Sequence, residues 1–404
     1  MAKFSAAEWR KILALLEDRG EDFGLPKRRS KSVVLASFNI RKIGKVKSKS
    51  AQSWEFMRAF CERCDLIAVQ EVQDDLSGIQ HLKSLLGQTS GQDRYGLVAS
   101  DITGWGVTKK SMVERLAFLY RWDRVSRTEV ASDLTYDRTA LLNSLFEDRV
   151  DFWQDLERRV AEMAAWAERN EGRSKKSTKP PFVLSNFLTF IRTPLCTSFR
   201  VPGIGDAEPY EFLTVNAHLL YGNKSKQRHE RELEFHALLQ WMIERAKNVK
   251  KLYHKNLLLL GDLNLDFKKA DERRDKIEAD IKGLNSTTFG SRKASTVNFP
   301  FLSVHPERNE VFRSTARLTE TYDQIGFFSH DERLPDPDAN KTAGSKADGF
   351  DYGVFNFSDL FAQAIHGESF ASLTKSKQKA LLKKYEHDVS DHLPIWVRLP
   401  RPGA

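Results

Sequence analysis

An α/β domain is what this sequence predicts, on three observations. Short apolar runs with strand character recur along the whole chain, and helical patterns fall between several of them. The hydrophobic fraction, 40% of 404 residues, is enough to bury one large core. Interleaved strands and helices argue for one α/β unit with decorations.

Taken in order, Ser5-Ala-Ala-Glu8 is a capping-box pattern, followed by Trp9, Ile12, Leu13, Leu15 and Leu16 at roughly helical spacing. A short N-terminal helix is therefore expected, stopped by Gly20 and packed on the main body. Residues 33–40 read as the first strand. Further strands are expected at 66–70, 116–120, 212–216, 257–260, 324–328 and 395–399, with helices at 53–63 and 229–250. Residues 1–30 read as a helix and basic linker, and 31–400 as the domain. Two insertions interrupt it: a helical one at about 139–180, closing in the basic loop GRSKKSTKPP, and a Pro/Asp/Gly/Ala-rich loop at about 331–349.

Three cysteines, Cys61, Cys64 and Cys196, cannot build a disulfide framework, and the single C-x-x-C has no second pair to complete a zinc site. They read as structural thiols. With no secretory leader and no apolar run of spanning length, a cytoplasmic protein that does not enter membranes is expected. The net charge of +9 is concentrated at the start: residues 1–50 hold 13 Lys/Arg against 5 Asp/Glu. Such a local excess suits a polyanion such as nucleic acid. A solvated basic loop has the same composition, and charge alone does not separate the two.

The chemistry is carried by a repeated layout, an apolar strand bounded by a polar residue. Asn39, Glu71, Asn216, His218, Asp262 and Asn264 follow such runs; Glu114, Asp323 and the Ser390-Asp391-His392 triplet precede them. Singly, each has an ordinary reading as a cap, turn former or satisfied polar group. Together, oxygen ligands of the kind offered by Asn39, Glu71, Asp262, Asn264 and Asp391 suit a hard cation such as Mg²⁺. Two histidines with two acidic partners suit general acid and base work.

At these residues the sequence resembles the deoxyribonuclease I family of the endonuclease/exonuclease/phosphatase superfamily. The strings LASFNIRKIG, DLIAVQEVQD, ERLAFLYR, GDLN and SDHLP occur in that family's order, from about residue 33 to 399. The resemblance implies a four-layer sandwich, two packed β-sheets flanked by helices, with the active site at one rim. It implies Asn39, Glu71 and Asp391 at a divalent metal (Mg²⁺, with Mn²⁺ or Ca²⁺ as alternatives) and Asp262 and Asn264 supporting metal and phosphate. It pairs His392 with Asp323 and His218 with Glu114, one imidazole as base and the other as acid, His392 being the base. Arg192 matches a phosphate-contacting arginine, and Asn216 resembles the Asn-x-His of sphingomyelinase-like members. The family's minor-groove arginine and tyrosine are here Gln73 and Met112, so Lys109, Lys110 and the basic stretch 27–49 are the expected phosphate contacts.

The reading that follows is a metal-dependent phosphodiester hydrolase, a DNA endonuclease, with nucleic acid as partner and no protein partner identifiable. The alternatives are a phosphodiesterase or phosphatase acting on a small molecule, nucleotide or lipid headgroup, and a non-catalytic nucleic-acid-binding scaffold. Fold alone does not decide among them.

Overall fold

The computed structural model describes residues 3–88, 93–104, 113–134, 149–180, 189–221, 225–248, 252–265 and 296–404, with 279, 283, 288–289 and 292–293 between the last two stretches. In chain order the elements are α1 (Ala6–Arg19), β1 (Ser32–Ile43), α2 (Ala51–Cys61), β2 (Leu66–Val72), α3 (Ser77–Gln88), β3 (Tyr95–Ala99), β4 (Arg115–Arg121) and β5 (Ser126–Asp133). Next come α4 (Arg149–Asn170), β6 (Leu195–Val201), β7 (Tyr210–His218), α5 (Ser225–Lys247) and β8 (Leu257–Asp262). Short strands β9 (Thr288–Phe289), β10 (Arg292–Lys293) and β11 (Thr296–Asn298) lead to β12 (Asp323–Ser329) and β13 (Asp351–Val354). The chain closes with α6 (Phe357–His366), α7 (Lys375–Tyr385) and β14 (Ile395–Pro400).

Two six-stranded sheets form, in the orders β13-β14-β1-β2-β4-β3 and β11-β12-β8-β7-β6-β5. Each is mixed, with one parallel pair, β1 with β2 and β7 with β8. Their inner faces interdigitate: Phe118 of the first sheet meets Phe199 of the second at 5.4 Å between ring centroids. The outer face of the first sheet is covered by α2 and α6, where Phe56, Phe60, Phe355 and Phe361 cluster. Phe235, Leu238 and Met242 of α5 share an apolar cluster with Val215, Leu257 and Leu259 of the second sheet. This is the four-layer sandwich.

Every expected strand forms, as do the N-terminal helix and the helices expected at 53–63 and 229–250, the last as α5 over 225–247. Among the strands without a sequence expectation, β3, β5 and β13 lie at or beside sheet edges. β5 is largely exposed, so no apolar run marks it. The capping box of α1 is made, Glu8 N donating to Ser5 Oγ and Ser5 N to Glu8 Oε2. Gly20 does not end the helix in the left-handed region; the chain continues through one 3₁₀ turn to Gly24, whose φ is +84°. Within the helical insertion only α4 and the loop after it are described, and the loop folds back, Ser177 bonding Asn170 and Trp166. All three cysteines are buried thiols, and burial raises their pKa values. Among the described residues no helix is long and apolar enough to cross a membrane.

Candidate active site

Register builds the site. On the second sheet His218 pairs with Asp262 across β7 and β8, and Asp262 with Asp323 across β8 and β12. Three chemically active side chains therefore stand in a row at one end of that sheet. Gly261 makes the row feasible: its φ is +152°, and a Cβ there would run into the Ala217 carbonyl. On the first sheet β1 and β2 bring Asn39 beside Gln70, after which the ladder shifts register. That irregularity accompanies left-handed backbone at Lys42 (φ +50°) and Glu71 (φ +58°), and Asn264 across the site has φ +53°. Non-glycine residues held this way are strained positions of the kind that collect at functional sites.

The side chains converge on Asp262. Its Oδ2 lies 3.4 Å from His218 Nε2 and 3.5 Å from His392 Nε2, and accepts from Asn39 Nδ2 at 3.0 Å. Its Oδ1 accepts from the Asn264 backbone at 2.9 Å. Each imidazole is oriented from behind through Nδ1, His218 by Glu114 at 2.7 Å and His392 by Asp323 at 2.8 Å. Asn39 Nδ2 also reaches Glu71 Oε1 at 3.4 Å, and the Lys42 amide donates to Glu71 Oε2 at 3.1 Å.

The two imidazoles are electrostatically unequal. Burial, reinforced by nearby Arg192, drives His218 down to about 3, so it is neutral. Burial also raises Glu114, to about 7. His392 feels burial too, but the Asp323 and Asp262 carboxylates outweigh it and hold its pKa well above the usual range. His392 is thus biased toward its protonated form and His218 toward its neutral one.

Asn39 and Glu71 fit a divalent cation. Asn39 Oδ1 is buried and has no hydrogen-bond partner, and Glu71 offers a carboxylate beside it. A hard cation takes such an all-oxygen set. Asp262, Asp323 and His392 also lie within 4.8 Å of one another at their ligand atoms. There the imidazole is committed between two carboxylates, which is an acid–base arrangement more than a cation cage. Asp391 Oδ2 pairs with Arg41 at 2.8 Å, and its buried Oδ1 has no hydrogen bond.

Three expected site residues spend hydrogen bonds within the protein. Asn216, expected to touch substrate, is fully buried between the sheets. Its Nδ2 donates to the Val69 and Ala117 carbonyls, and its Oδ1 accepts from Gln70 at 2.7 Å. Arg192, expected on the phosphate, is buried behind the site, with Nε 3.2 Å from Glu114 and Nη1 donating to the carbonyls of His218 and Leu219. It braces the His218–Glu114 pair. The side chain of Asn264 donates to Leu219 O at 3.0 Å and fastens the same loop. In each case polar atoms of the side chain are engaged by the protein itself. Lys109 and Lys110 lie outside the described residues.

Residues without a sequence expectation also shape the site. Glu234 of α5 accepts from the amides of Ile191 and Leu220, fastening the segments that carry Arg192 and His218. Gln70, a polar residue inside the apolar string LIAVQEV, joins the sheets beneath Glu71; that interruption is its only signal in the sequence.

No family model matches the chain. Among curated proteins, deoxyribonuclease-1 of Oryctolagus cuniculus is 33% identical over 96 residues, 24% of this chain. The match spans about a third of that relative's length (32%). Among solved structures, an endonuclease/exonuclease/phosphatase family protein from Bacteroides thetaiotaomicron is 13% identical, covering 92% of this chain and 96% of that one, with a TM-score of 0.44. The human Nocturnin catalytic domain is 11% identical over 92% and 94%, also with a TM-score of 0.44. An endonuclease/exonuclease/phosphatase from Beutenbergia cavernae is 12% identical over 93% and 72%, with a TM-score of 0.46. Likeness of this degree says nothing of substrate. Over those 96 residues the chain is similar to deoxyribonuclease-1.

Proposed function

We propose that the chain is a divalent-metal-dependent phosphodiester hydrolase acting on DNA. One observation supports this reading above the others: two imidazoles, each oriented by its own carboxylate, present Nε2 to the same Asp262 oxygen beside the Asn39–Glu71 pair. A scaffold has no use for that arrangement. Asn39 and Glu71 would hold the cation, which when bound supplies Lewis-acid stabilisation of charge on the phosphoryl oxygens. Asp262 would orient a water between the imidazoles; one Nε2 would take its proton, and the other would protonate the departing oxygen. The resemblance gives His392 the base role and His218 the acid role, whereas the electrostatics of the site favour the opposite protonation. That assignment requires His392 to give up the proton that Asp323 and Asp262 hold, and His218 to gain one before the leaving oxygen can be protonated.

DNA as substrate is supported by the exposed lysines Lys42, Lys45 and Lys47, which lie at and just beyond the end of the strand carrying Asn39. The small-molecule reading leans on Asn216, whose amide is fully engaged between the sheets. The test is to incubate purified protein with supercoiled plasmid, single-stranded DNA, RNA and a chromogenic bis-phosphodiester, each with Mg²⁺ or excess EDTA. Mg²⁺-dependent plasmid nicking, lost in Glu71→Ala, is expected. Cleavage of the chromogenic ester alone would favour the small-molecule reading, and DNA binding without cleavage the scaffold.

A further inference from the structure

Lys49 belongs by sequence to the basic stretch that suggests phosphate contacts, but it points inward. It is 5% exposed, and its ammonium donates to the carbonyls of Arg41 at 3.0 Å, Val389 at 2.9 Å and Asp388 at 3.5 Å. A lysine has three donors, and all three are used. Burying an ammonium is costly unless it is paired and hydrogen-bonded. Burial pulls its pKa down to about 8, and the carboxylates of Asp388, Glu71 and Asp391 oppose that shift.

The segments it joins carry the two halves of the site. Arg41 lies two residues beyond Asn39 on β1, and residues 388–389 lead directly into Asp391 and His392. The neighbouring bonds follow the same seam. The Ser50 amide and hydroxyl bond the Asp388 carboxylate at 2.9 and 2.8 Å. Ser390 Oγ donates to Asn39 O at 2.6 Å and accepts from the His392 amide at 3.1 Å.

We propose that Lys49 is a positioning residue, an internal cation that clamps the loop bearing His392 against the strand bearing Asn39. Without the ammonium, three carbonyl oxygens are left facing one another with no donor, and their repulsion moves the loop. A displacement of about 1 Å is enough to cost on the order of 10²-fold in rate. The effect on turnover rests on the hydrolase reading above; the effect on His392 does not.

The test compares Lys49→Met with Leu82→Ala, a core variant in α3 that controls for lost stability, at a temperature where both are folded. Lys49→Gln, which keeps an N–H donor, replaces the first should it fail to fold. The Lys49 variant should lower kcat on plasmid DNA by about 10- to 100-fold, with KM and its salt dependence little changed, and Leu82→Ala should not. Independently, the proton NMR signal of the imidazole N–H donated from His392 to Asp323, assigned by its loss in Asp323→Asn, should shift in the Lys49 variant of the metal-free protein. An unmoved His392 signal with wild-type kcat would overturn the clamp. So would a raised KM with a flattened salt dependence and intact kcat, which would make Lys49 a phosphate-binding residue. If the wild-type protein cleaves no phosphodiester, the hydrolase reading fails and the His392 signal still decides the clamp.

Discussion

Gln70 and Asn216 meet across the interior of the sandwich, Gln70 Nε2 donating to Asn216 Oδ1 at 2.7 Å from the opposite sheet. Each is followed at once, or two residues on, by a site residue, Glu71 and His218. The pair therefore fixes how the metal side of the site faces the acid–base side. Asn216→Leu would take the Asn216 donor from the Val69 and Ala117 carbonyls and leave Gln70 Nε2 with Ser37 Oγ as its remaining acceptor, at about 1–3 kcal/mol for each group left unsatisfied in a dry interior. We expect a loss of about 2–4 kcal/mol by urea unfolding and a lower kcat. Wild-type stability would show that the two sheets hold their register without the bond.

His218 and His392 should both be required, and in distinguishable ways. General acid–base groups contribute about 10²–10⁴-fold, and alanine at either position should cost that much on DNA. With a nitrophenolate leaving group, little protonation is needed, so the variant lacking the acid should recover much of its rate and the variant lacking the base should not. Recovery in His218→Ala supports His392 as base; recovery in His392→Ala reverses the roles. Near wild-type turnover in both variants would remove the proposed site altogether.

The raised pKa of His392 has a consequence for stability. In the unfolded chain it titrates near 6.5, and in the fold it stays protonated to higher pH because of Asp323 and Asp262. The folded state thus binds the extra proton, and its stabilising contribution is complete below pH 6.5 and lost as pH rises through the folded value. Asp323→Asn should therefore destabilise the metal-free protein more at about pH 6 than at about pH 9. Urea midpoints at the two pH values measure this, and an equal loss at both would mean that His392 is not held charged.

The exposed lysines Lys42, Lys45 and Lys47 carry the electrostatic prediction, and Lys49 does not belong with them. Alanine at the three together should raise KM for plasmid DNA and flatten the log–log salt dependence, by up to about 0.9 for each phosphate no longer neutralised. An unchanged slope would make them solvated surface.

The strands are written in the sequence, because apolar runs of about five to eight residues between turn-forming residues have few other stable uses, and the polar residues at their ends are marked there too. Both histidine–carboxylate pairs, His392–Asp323 and His218–Glu114, are legible through motif order. Folding in three dimensions settles which polar residues face the site and which are spent holding it. Asn216, Arg192 and Lys49 carry the same functional groups as true ligands or phosphate-binding side chains, so composition and spacing cannot tell them apart. Burial between two sheets or behind an ion pair can, because a buried donor must be satisfied within the protein, and its partners, Gln70, Glu114 and the carbonyls of residues 388–389, come from distant parts of the chain.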